Sequence, residues 1–244
     1  MSSRTRSAWI MACCGIAIFC VAGWMSAQET TGTEDYFLPP VGLEPGWYAR
    51  IETSKGRIIA ALHPDQAPQS VAHFVGLAEG TLEWTDPILG EPQKGRFYDK
   101  IHVDLAKAGE RFEAGGLEAD PSRTPPVIYV SPAEGKGPVN FAAPGRLGMT
   151  SSYGSRISAV KFFVTAAPAP FFNIHYPCFG SVVEGLAVVQ RITEVKTYAK
   201  GRPIEPVEIY KIRIFSVGDP EPLQEPEPYK PHLVEMESSK EPPR

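Results

Sequence analysis

The chain has 244 residues, 43% of them hydrophobic and 21% charged, with a formal net charge of −4. That is enough apolar material to fill one sizeable core, and without a long basic run the charge gives no footing for a nucleic-acid partner. The 25 prolines and 22 glycines call for many loops and turns and disfavour a helical bundle.

Taken in chain order, MSSRTR supplies two arginines and Ala8–Met25 then runs without a charge to Met25-Ser26-Ala27, a small-residue cleavage pattern. Residues 1–27 therefore read as a secretory signal peptide. The rival reading is an uncleaved anchor, since an apolar run of this length is near the lower limit for spanning a bilayer. Cleavage would remove Cys13, Cys14 and Cys20 and leave Cys178 alone, without a partner for an internal disulfide. No Cys-His signature surrounds Cys178, so it reads as a buried strand residue. Residues 28–45 are polar and proline-bearing and form a tether; 46–218 form the folded domain; 219–244, with seven prolines, read as an acidic, disordered tail or one that dresses the surface.

Inside the domain, YARIETSKGRIIAALHP predicts two strands joined at a tight Lys55-Gly56 turn. Pro68 suits a first helical position, and Val71, Phe74, Val75 and Ala78 share a face of a helix that ends at Gly80. LEWTDPILGEPQKG (82–95) reads as a surface insertion. A second helix follows from Leu186, Val189 and Ile192, and Ile212 and Ile214 alternate with Lys211 and Arg213 in a closing strand. Many short strands with two helices favour a mainly β fold, a closed β-barrel covered by helices.

Five ordered blocks add a family. PDQAPQSVAHFVGLAEGTLEWTD (64–86), GRFYDKIH (95–102), GRLGMT (145–150), KFFVTAAPAP (161–170) and CFGSVVEGLAVVQRI (178–192) resemble the cyclophilin-type peptidyl-prolyl cis-trans isomerases. The resemblance covers nearly all of 48–217. It implies an antiparallel barrel of about eight strands capped by two helices, with a proline-binding groove on the outer wall. It also implies isomerisation of X–Pro bonds in polypeptides without a cofactor. Such an amide turns over a barrier of ~18–20 kcal/mol because its C–N bond is partly double.

The polar residues that the family brings to this task are largely replaced. Val103 stands at the family's arginine position, Ala114 at its glutamine, Ser151 at its asparagine and Tyr176 at its histidine. The connection 104–112 is longer than usual, with an insertion at 106–110. No residue is assigned as catalytic; the candidate substitutes are His102, Arg111 and Arg156. The apolar half is better kept, and the resemblance implies a peptide-binding set of Phe112, Ala114, Ser151, Phe163, Phe171, Phe172 and Tyr176. The expected function is an exported, periplasmic or otherwise extracytoplasmic isomerase of weak activity. Its expected partners are proline-containing segments, with the membrane touched only through an uncleaved N-terminus. The alternatives are a binding module that does not turn its peptide over, and a structural or assembly domain of the cell envelope. The five histidines lack ligand-like spacing, so no metal site is expected.

Overall fold

In the computed structural model the described residues are 37–85, 92–116, 129–130, 134–150, 157–158 and 160–226. The expected signal segment and residues 28–36 of the tether therefore lie outside them, as do residues 227–244 of the tail. The chain opens on the predicted hairpin. Strand β1 (Gly46–Thr53) pairs with β2 (Gly56–Leu62) through a two-residue turn, Ser54-Lys55, with Gly56 opposite Thr53. The turn thus lies one residue earlier than the sequence suggested.

Helix α1 (Pro68–Glu79) begins at Pro68 and is closed by Gly80 in the left-handed conformation, as proline at the first turn and glycine past the end dictate. Its N-terminus has no side-chain cap of its own. Glu134, far along the chain, supplies one: its carboxylate accepts from the Gln69 N–H at 2.9 Å, the Ser70 N–H at 2.9 Å and the Ser70 Oγ–H at 2.7 Å. A carboxylate there satisfies free N–H groups and opposes the positive end of the helix dipole. Replacing Glu134 by Ala should lower stability by about 1–2 kcal/mol, the usual range for a lost cap. An unchanged urea midpoint would show the cap to be dispensable.

The short pair β3 (Trp84–Thr85) and β4 (Pro92–Gln93) closes the ends of the 82–95 insertion, where the Trp84 ring meets Phe97 edge-on at 5.2 Å. Next come β5 (Ile101–Lys107), β6 (Arg111–Ala114), β7 (Tyr129–Val130), β8 (Arg146–Met149), β9 (Ile157–Ser158) and β10 (Phe162–Thr165). A single-turn 3-10 helix (Pro170–Ile174), β11 (Cys178–Glu184), helix α2 (Leu186–Thr193) and β12 (Glu208–Val217) complete the order. Among the described residues eight strands close an antiparallel barrel in the order β1-β12-β5-β6-β10-β8-β11-β2.

The barrel is filled, not hollow. From α1, Phe74 packs on Tyr98, Phe162 and Phe179, with ring centroids 5.3, 5.5 and 5.2 Å away. The Tyr98 hydroxyl meets its need by donating to the Val160 carbonyl at 2.8 Å. Both helices cover this core, and the buried face of α1 is wider than the predicted stripe, taking in His73 and Leu77 as well. Of the expected disordered tail, residues 219–226 lie in the described part and are tied down. Trp47 Nε1 donates to the Glu221 carbonyl at 2.8 Å, and Leu223 packs on the core. Among the described residues no helix is long and apolar enough to cross a membrane.

Candidate functional site

The site is built by alternation on three adjacent strands. In β10, Phe162 and Val164 belong to the barrel interior, which leaves Phe163 on the outer face. Directly opposed residues in antiparallel strands share a face. Phe163 is opposite Glu113 of β6 and Gly148 of β8, so these three form one outer row. Gly148 is needed there for space: a Cβ would lie 2.5 Å from the Phe163 ring and 2.6 Å from Phe141.

Over this row sits a second, smaller core of Phe141, Phe163, Ala169, Phe172 and Cys178 with Tyr176 at its edge. Phe141 stacks on Phe163 at 5.3 Å and 23°. Phe172 meets Phe163 at 5.2 Å, and Tyr176 meets both at 5.3 and 5.4 Å. The rings are packed closely enough that Phe163 is 1% and Phe172 5% exposed, while Phe171 (55%) and Ile174 (77%) form an open apolar rim. The loop carrying Phe141 is pinned by Gln66, whose side-chain amide donates to the carbonyls of Val139 and Cys178, each at 2.9 Å. Burial pushes the Cys178 thiol up to about 11, so it is protonated and unreactive near neutrality, and the structural reading of this cysteine stands.

Beside the rings is a line of charge. Arg111 Nε donates to Glu113 Oε1 at 2.8 Å, its Nη2 lies 2.7 Å from the same oxygen, and its Nη1 meets Glu110. Lys161 Nζ lies 3.2 Å from the other Glu113 oxygen. The Arg111 guanidinium stands over Phe172, 5.1 Å from the ring centroid, within cation–π range. The side chains of Arg111, Glu113 and Lys161 are only 18%, 7% and 8% exposed. A nearly buried ion triad thus borders an aromatic floor.

Of the peptide-binding residues expected from the sequence, Phe163, Phe171, Phe172 and Tyr176 are brought together, and the candidate Arg111 joins them. Two are corrected. Phe112 and Ala114 are fully buried in the barrel interior, opposite Val164 and Phe162, and the outer wall of β6 belongs to Arg111 and Glu113. Val103 likewise faces inward, opposite Ala114. A bulge at Asp104 follows it, and the Asp104 carboxylate accepts the Gly116 N–H at 2.7 Å. Gly115 has φ +94° and would place a Cβ 2.5 Å from the Val160 carbonyl oxygen, so the paired glycines are a backbone necessity of this corner. His102 is exposed, opposite Glu208 of β12. Ser151 and Arg156 lie outside the described residues.

Glu113, Lys161 and Phe141 were not anticipated, although a signal for the first existed. Arg111-Phe112-Glu113-Ala114 alternates polar and apolar, which by itself sets Phe112 inward and the charges outward. Among the described residues no group of three His, Cys, Asp or Glu side chains is placed to hold a metal ion.

Comparison with known proteins agrees with this architecture. The family model described as "Cyclophilin type peptidyl-prolyl cis-trans isomerase/CLD" matches residues 48–214. The chain is 32% identical to peptidyl-prolyl cis-trans isomerase A of Mycobacterium tuberculosis over 168 residues, covering 68% of this chain and 91% of the relative. It is 30% identical to peptidyl-prolyl cis-trans isomerase B of Streptomyces anulatus, with 68% and 94% covered. Among solved structures it resembles a cyclophilin-type isomerase of Cryptosporidium parvum crystallised in the presence of the dipeptide Ala-Pro. There the TM-score is 0.56 and the identity 20%, over 70% of this chain and 99% of the other.

Proposed function

This chain belongs to the cyclophilin-type peptidyl-prolyl cis-trans isomerase family, and we propose that it works outside the cytoplasm as a slow isomerase of X–Pro bonds in polypeptide segments. The single observation that carries the reading is the aromatic cluster of Phe163, Phe172 and Tyr176 on the outer barrel wall, bordered by a guanidinium. An apolar floor suits a proline ring, the rim residues Phe171 and Ile174 suit the flanking side chains, and a relative of this fold was crystallised with Ala-Pro. Export is supported by the pattern of residues 1–27, with the protein held at a membrane if that segment stays uncut.

Slow turnover follows from the replaced polar groups. With valine, alanine and tyrosine where the family carries arginine, glutamine and histidine, several donors to the twisted amide are gone. Loss of one such donor commonly lowers a rate by ~10²–10³. Losses within one site are not additive, so the expected rate enhancement is small.

A second reading, a module that binds proline peptides without turning them over, is favoured by the two carboxylates that engage Arg111. Exchange NMR on a labelled X–Pro peptide with substoichiometric purified chain separates the two. Cis–trans exchange cross-peaks above the peptide-alone level are expected. Peptide line broadening with no added exchange would establish the binding module instead.

A further inference from the structure

We propose that Arg111 is the catalytic donor of this site, taking over from β6 a task for which Val103 is unavailable, and that Glu113 is its positioning residue. The inference rests on the isomerase reading above and deepens it. When an X–Pro bond twists, amide resonance is broken and the proline nitrogen regains a lone pair. An N–H aimed at that nitrogen binds the twisted state better than either planar isomer, so it lowers the barrier with no proton transferred and no bond formed or broken.

Arg111 meets three requirements for this role. Its guanidinium stands 5.1 Å over Phe172, whose neighbour Phe171 is the exposed ring that a proline segment would meet. It has donors left: a guanidinium carries five N–H groups. Among the described residues, Nε, one N–H of Nη1 and one of Nη2 engage Glu110 and Glu113. Two N–H groups are thereby left for a substrate. It is also held still. Glu113 grips it through Nε and Nη2 and is itself anchored by Lys161 at 3.2 Å. A donor fixed before the reaction costs no reorganisation when the amide twists.

The other candidates have weaker claims. Lys161 is turned to Glu113, and the exposed His102 is on β5, with β6 between it and the Phe163 row. Among the described cations Arg111 is the one that stands over the rings of the site with N–H groups beyond those that engage Glu110 and Glu113. Its place at the end of the lengthened β5–β6 connection also gives that insertion a purpose, since residues 108–110 bring Glu110 onto the guanidinium.

The test compares wild type, Arg111→Met and Arg111→Lys, measuring exchange of a labelled Ala-Pro-containing peptide and its binding by chemical-shift titration. Arg111→Met keeps the length of the side chain and leaves Glu113 paired with Lys161. Its exchange rate should fall at least tenfold while the Kd stays within about threefold. Arg111→Lys keeps the charge facing Glu113 but not the planar fork, and should lose at least threefold. Glu113→Gln should reduce exchange at saturating peptide more than it weakens binding, a split that a purely structural role would not produce. Either folded Arg111 variant catalysing as fast as wild type overturns the inference and leaves the isomerase reading intact. A wild-type chain that adds no exchange overturns both.

Discussion

Replacing Glu113 by Ala should destabilise the folded chain by roughly 3–5 kcal/mol, among the largest effects available to one side chain outside the main core. The reason is the company Glu113 keeps. It holds Arg111 at 2.7–2.8 Å on one oxygen and Lys161 at 3.2 Å on the other, with all three side chains largely withdrawn from water. Deleting the carboxylate removes the anion 3.2 Å from the Lys161 ammonium and one of the two anions on the guanidinium. Glu110 remains to neutralise Arg111 in part. A triple variant, Arg111→Met, Glu113→Leu and Lys161→Met, removes the charges together and should regain most of the loss, because well-packed apolar residues replace a buried ion set at little cost. Urea titrations of the single and triple variants decide it. A single variant with the wild-type midpoint would mean that water reaches the triad freely.

The second large effect is an acid one. His73 lies on the buried side of α1, 2% exposed, and its Nδ1 has no hydrogen-bond partner among the described residues. Burial lowers its pKa from 6.5 to about 4. Between those values the unfolded chain binds a proton that the folded chain refuses, so stability falls as pH falls. The contribution is complete above the unfolded pKa and is lost progressively as pH drops through the folded one. The shift corresponds to about 3 kcal/mol, and roughly 2–3 kcal/mol of it should disappear between about pH 7.5 and 4.5. His63, also lowered mainly by burial, adds in the same direction. Carboxylates titrate in the same range, so the measurement is a difference: His73→Leu should show a shallower acid loss than wild type by that amount. Parallel pH profiles for the two chains would rule out a neutral buried imidazole at position 73.

Both effects depend on burial that the closed barrel imposes, and this bears on what could be read in advance. The alternation in β12, the face of α1 and its end at Gly80 were legible because each is set by neighbours within a few residues. The five motif blocks carried the family, and the eight-stranded barrel came as what that resemblance implies. Phe163, Phe172 and Tyr176 were legible as a group only because those blocks are ordered, and Arg111 only as one cation among several.

The sequence by itself therefore determined the barrel, its two helices and the family. It also held the inward turn of Phe112 and the outward turn of Arg111 and Glu113 in the period of residues 111–114. What only the tertiary structure decided was partnership. Strand register alone sets Glu113 opposite Phe163 and within reach of Lys161, and only the closed barrel carries Glu134 to the N-terminus of α1 and lays Phe141 on Phe163. Register and closure are long-range choices, made by the whole interior at once, whereas local spacing records only which face of an element a residue is on.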